Sequence, residues 1–160
     1  MDEGEDVVDS GTSSGGAIPT GGSDVVVLRL PAQGAYLSVL RTATASLASR
    51  LDFTIDDIED LRIAVDEACA MLLSQAVAGA HLECRFELAN AAIAVSVAVA
   101  TTDGAQPSRD TFAWTVLTAL AGEVSSAVDA DKVVTITLHK RREQEPGSVP
   151  AQGGPGAVLR

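Results

Sequence analysis

The run Ile55–Ser74, IDDIEDLRIAVDEACAMLLS, decides how the chain is read. Its apolar residues Ile58, Leu61, Val65, Ala68, Cys69, Leu72 and Leu73 recur at intervals of three and four, which lays one stripe along a helix. Asp56, Asp57, Glu59 and Asp60 fill the first turns, where the free N–H groups of a helix favour negative charge. Thr54 stands before them as the N-cap, its hydroxyl placed to accept from one of those N–H groups. Asp66 and Glu67 then interrupt the most hydrophobic part of the stripe. A carboxylate beside Ala and Leu is costly unless it is paired, hydrated or ligated. One reading pairs Arg62 with Asp66 and leaves Glu67 in solvent at the edge of the stripe. The other turns Glu67 into a pocket beside a sheet, as a general base or, through a water, toward a metal.

Upstream, Asp24–Leu30 (DVVVLRL) is short, rich in β-branched residues and stopped by Pro31, which predicts a strand. Ala35–Leu51 carries Leu37, Leu40, Thr44, Leu47, Ala48 and Leu51 at helical spacing. Downstream, Gly79 is the expected stop of the long helix. His81–Leu88 alternates Leu82, Cys84, Phe86 and Leu88 with polar residues, as a half-exposed strand does. Asn90 and Ala91 make a tight connection to Ala92–Ala100, a more continuous apolar run that reads as a central strand. A polar loop, Thr101–Asp110, leads to a helix over Phe112–Leu120, closed by Gly122. Val124–Val128 and Val133–His139 follow as strands. This order predicts an α+β two-layer sandwich, with helices on one face of a mostly antiparallel mixed sheet.

The formal net charge is −11 over 160 residues. A nucleic-acid binder would need a basic stripe for phosphates, so that class is excluded. A partner with a basic surface suits the charge, and so does a merely solubilising role. Residues 1–23, acidic and rich in Gly and Ser, and residues 143–160, rich in Gly, Pro, Gln and Ala, hold too little apolar surface to fold, so both are expected to be disordered tails. Residues 24–142 form the expected single domain. Cys69 and Cys84 fall on apolar phases and read as small core residues. No secretory pattern and no bilayer-length apolar run is visible, which predicts a soluble, cytoplasmic protein without membrane partners.

Other candidate chemistry is thin. His81 and His139 lie at strand ends on polar phases, and no His/Cys cluster has metal-site spacing. Ser108, Ser125 and Ser126 fit no nucleophile-elbow pattern. The glycine pairs Gly15-Gly16 and Gly21-Gly22 follow no strand and make no phosphate loop. Phe112 and Trp114 are either core packing or an exposed anchor at a partner surface.

The run LRIAVDEACAMLLSQA, Leu61–Ala76, resembles the first conserved helix of the RsbW/SpoIIAB-type anti-sigma factors, which are switch-protein serine kinases of the histidine kinase/Hsp90-like ATPase fold. TFAWTVLTALAGEVSSA (Thr111–Ala127) and TITLHKRR (Thr135–Arg142) are similar to the mycobacterial branch, whose members regulate the stress sigma factor SigF. The resemblance implies that fold, a SigF-type sigma factor and anti-anti-sigma factors as partners, and a homodimer. It also implies an ATP site in which Glu67 takes the place of the family's catalytic Glu. The family's Mg²⁺-ligating Asn falls on Met71, a thioether where that ion wants oxygen. Of the family's adenine-binding Asp-x-Gly-x-Gly motif, Asp103 and Gly104 remain. The lid region, Ser108–Trp114, has no glycine. The expectation is therefore an anti-sigma factor with a degraded nucleotide site of Glu67, Asp103 and Gly104 and no metal. The alternative is an active ATP-dependent serine kinase acting on an anti-anti-sigma factor.

Overall fold

A computed structural model describes residues 22–143. The expected tails lie outside the described residues except for Gly22, Ser23 and Glu143. The elements run β1 (Asp24–Pro31), a 3-10 turn (Gly34–Tyr36), α1 (Leu37–Ser49), α2 (Ile55–Leu73), β2 (His81–Ala89), β3 (Ala92–Ala100), α3 (Phe112–Ala121), β4 (Glu123–Val128) and β5 (Val133–Arg141). The strands form one sheet in the order β1-β2-β3-β5-β4, and each neighbouring pair is antiparallel. The three helices pack on one side of it, as the two-layer sandwich requires.

Local chemistry accounts for the element ends. Thr54 caps α2 by accepting from Asp57 N–H at 3.1 Å, and Thr111 caps α3 by accepting from Trp114 N–H at 3.2 Å. Gly122 ends α3 at φ +90°, a conformation that a side chain would strain. The end expected for α2 at Gly79 is corrected: the helix stops at Leu73. The residues after it leave the helix because their backbone bonds elsewhere. Thr102 N–H donates to Gln75 O at 3.3 Å, Val77 N–H donates to Ala100 O at 3.0 Å, and Ala76 bridges Thr101. Gly79, at φ +75°, instead turns the chain into β2. The start expected for α1 at Ala35 is taken up by the 3-10 turn.

The core lies between the layers. Leu82, Cys84, Phe86 and Leu88 of β2 face Ile93, Val95, Val97 and Val99 of β3 across the register Leu88↔Ile93, Phe86↔Val95, Cys84↔Val97 and Leu82↔Val99. Leu61, Val65, Ala68, Cys69 and Leu72 of α2 cover this surface together with Leu40 and Ala48 of α1 and Trp114, Leu117 and Ala121 of α3. Among the described residues the opposite side of the sheet carries no helix. There β3 presents Ala92, Ala94, Ser96, Ala98 and Ala100, each half-buried, and Ser96 shares a 3.0 Å hydrogen bond with Thr137 of β5. Among the described residues no helix is long and apolar enough to cross a membrane.

Candidate functional site

α2 runs across the helical layer between α1 and α3 and organises the candidate residues. Its N-terminal end is fastened by charge. Thr54 Oγ1 donates to Asp57 Oδ2 at 2.7 Å. Lys140 of β5, with its side chain 14% exposed, sets Nζ 3.1 Å from Asp57 Oδ1 and 3.8 Å from Asp60 Oδ2. The same ammonium donates to Leu120 O at the end of α3, 2.9 Å away. One cation thus joins both helices to the sheet. Burial pushes the Asp57 carboxyl up, but the bonds from Thr54 and Lys140 outweigh it and hold its pKa below the ordinary carboxylate value.

The acidic pair is distributed differently from the simplest expectation. Arg62 does not pair with Asp66. It bonds Glu59, one turn back, while Asp66 Oδ2 pairs with Arg41 Nε of α1. The signal for Arg41 was beyond local spacing, because it comes from another helix. Glu67 is half-buried and has no ion-pair partner among the described residues. Met71, four residues on and on the same side of the helix, packs against the core.

Asp103 and Gly104 sit in the turn after β3. This turn is bonded to itself and to the β4–β5 connection. Thr101 Oγ1 donates to Lys132 O at 2.7 Å and accepts from Gly104 N–H at 2.9 Å. Asp103 Oδ1 accepts from Ala105 N–H at 3.0 Å. A Cβ on Gly104, at φ +71°, would come within 3.3 Å of Lys132 Cγ and 3.4 Å of Val128 Cγ2. Farther along the loop, Gln106 Oε1 accepts from Ser126 Oγ of β4. The turn touches the chain just beyond α2 through Gln75–Val77, whereas Glu67 lies about 9 Å farther back along the helix axis at the usual rise per residue. Asp103 and Gly104 are therefore together, and Glu67 is bonded to neither.

Two features of these residues stand against a magnesium nucleotide. The N–H groups of Gly104 and Ala105 are already satisfied inside the turn, and the position one turn after Glu67 offers sulfur in place of oxygen. The two thiols add nothing nucleophilic: Cys69 and Cys84 are free and buried, and the hydrogen bond with Cys84, then burial, push the Cys69 thiol far above its ordinary value.

The aromatic pair divides. Trp114 is buried, with the Arg109 guanidinium 5.5 Å from its ring centroid. Phe112 is 84% exposed. The spacing of Trp114, Leu117 and Ala121 marks the buried stripe of α3, and Phe112 stands off it.

No family model matches the chain. Over 127 residues it is 32% identical to the anti-sigma-F factor RsbW of Mycobacterium tuberculosis, with 76% of each chain covered. It is 42% identical over 53 residues to the serine-protein kinase RsbW of Bacillus velezensis and 41% identical over 54 residues to that of Bacillus subtilis. In those two matches the chain spans about a third of the relatives' length, 33% and 34%. A crystal structure of the RsbU and RsbW domains of a Mycobacterium tuberculosis protein superposes with a TM-score of 0.59 at 17% identity, over 74% of this chain and 32% of that one.

Proposed function

Since the chain belongs to the RsbW family of anti-sigma factors, we propose that it binds a SigF-type stress sigma factor in the cytoplasm and covers the surface that RNA polymerase would use. Anti-anti-sigma proteins then release the sigma factor by competing for this chain. The match to an anti-sigma-F factor over three-quarters of both sequences carries the reading. The charge of −11 supports it, because a DNA-binding sigma factor offers basic surface. The uncovered side of the sheet leaves room for a second copy, and a homodimer is part of the proposal. Purified chain mixed with a SigF-type sigma factor is expected to co-elute with it in gel filtration without added nucleotide. Separate elution would remove the reading.

A second reading, an ATP-dependent serine kinase that phosphorylates an anti-anti-sigma factor, is favoured by the name serine-protein kinase of the Bacillus relatives and by Glu67. Calorimetry with Mg-ATP separates the two. Absence of heat agrees with a degraded site of Glu67, Asp103 and Gly104, and tight binding favours the kinase.

A further inference from the structure

The outward side of α2 carries two large apolar side chains that the fold leaves in water. Ile55 is 79% exposed and Ile63 50%. With Glu59 midway between them, they lie on the side of the helix away from the buried Leu61, Ala68 and Leu72. Asp56 and Glu67 flank them, and neither has an ion-pair partner among the described residues. Of the six carboxylates on α2, Asp57 and Asp60 pair with Lys140, Glu59 with Arg62 and Asp66 with Arg41, so Asp56 and Glu67 are the two left to meet a partner's cations. Two exposed apolar side chains, with the Glu59–Arg62 ion pair between them and unpaired carboxylates beside them, offer both the apolar and the charged contacts that protein interfaces use.

We propose that this side of α2 is the seat of a helix from the sequestered sigma factor, one that sets Arg and Lys around an apolar ridge. The proposal rests on the anti-sigma reading above and gives that binding a location. Charge complementarity selects the occupant. The unpaired carboxylates of Asp56 and Glu67 disfavour acidic segments, whereas a protein that binds DNA must present cations. The two isoleucines give a docked helix the apolar contacts, about two turns apart, that helix-in-groove recognition uses. Covering those cations would also take them away from DNA. Glu67, on the reacting helix of the nucleotide-binding pattern, then serves as rim charge.

The test titrates the full chain against purified sigma-F factor of Mycobacterium tuberculosis, by calorimetry at low and high salt. Three double variants accompany it: Ile55→Lys with Ile63→Lys, Asp56→Lys with Glu67→Lys, and, as a control off α2, Val77→Lys with Val128→Lys. All six side chains are partly or largely solvent-exposed, so the melting temperature of each variant is expected to stay near that of the parent. Both α2 variants are expected to bind about tenfold or more weakly, the control within about threefold, and the parent more weakly as salt rises. If the α2 variants bind within about threefold of the parent, the seat is overturned and the anti-sigma reading stands. If the control alone loses binding, the seat is likewise overturned. If the parent itself does not bind, the sigma-F reading falls and the seat with it.

Discussion

The two ends of α2 are held by opposite means. At its start, three side chains and one carbonyl converge on the Lys140 ammonium or on each other: Thr54, Asp57, Asp60 and Leu120. At its finish, the chain is tied by main-chain bonds, Thr102 N–H donating to Gln75 O and Val77 N–H to Ala100 O, and the neighbouring turn is tied by one hydroxyl, that of Thr101. The first fastening depends on ionisation and salt. The second depends on neither. A helix fixed in both ways keeps its place over the sheet when one of the two is weakened.

Lys140→Met is the sharpest way to break the contrast. It leaves Asp57 largely buried without a counter-charge and Leu120 O without its donor, at a cost of about 3 kcal/mol in urea unfolding. A loss below about 1 kcal/mol would mean that charge does not hold this end. Thr101→Val probes the other end. It removes one of the two donors to Lys132 O, leaving Thr101 N–H at 3.0 Å, and the acceptor of Gly104 N–H, for about 1 kcal/mol, and the loss should be the same in low and high salt. Salt dependence of that loss would count against an uncharged fastening.

Asp57→Asn costs a similar amount, about 1 kcal/mol at neutral pH, and it carries a pH signature. The folded-state pKa of Asp57 is lowered, so its stabilisation is complete above the unfolded value of about 3.9 and fades as pH falls through that value toward the lower folded one. The gap between parent and variant should therefore close in acid unfolding curves below about pH 4. A constant gap would assign the effect to the cap geometry alone. Glu67→Gln should change stability least, within about 0.5 kcal/mol, because the carboxylate has no bonding partner among the described residues. A larger loss would reveal a partner that the sequence and fold have hidden.

What the sequence made legible follows the range of the interaction concerned. Thr54 as the cap, the buried phase of α2 and the alternation of β2 all depend on neighbours within a few residues, and each is found where expected. The order of elements fits the helix-on-sheet sandwich and the RsbW family. The pairing of Asp66 was misjudged because Arg41 reaches it from α1, and the end of α2 was misplaced because β3 supplies the bonds that draw Gln75–Val77 out of the helix. At the candidate site, spacing set Glu67 and Met71 on one side of α2, but it carried no sign that Asp103 and Gly104 would be taken up by Thr101 and Lys132. That closure is a contact between segments about thirty residues apart.

The position of β1 bears on how the chain is made. Among the described residues its one sheet partner is β2, which begins at His81, and both α1 and α2 lie between the two. On a ribosome adding about 5–20 residues per second, the β-branched run Val25–Leu30 waits several seconds before its partner exists. Such runs recruit other chains through their unpaired edges. Arg29 and Pro31 interrupt it with a charge and a missing N–H donor, the residue types that guard hydrophobic strands against that fate. Their value lies in the interval of synthesis before the sheet has closed.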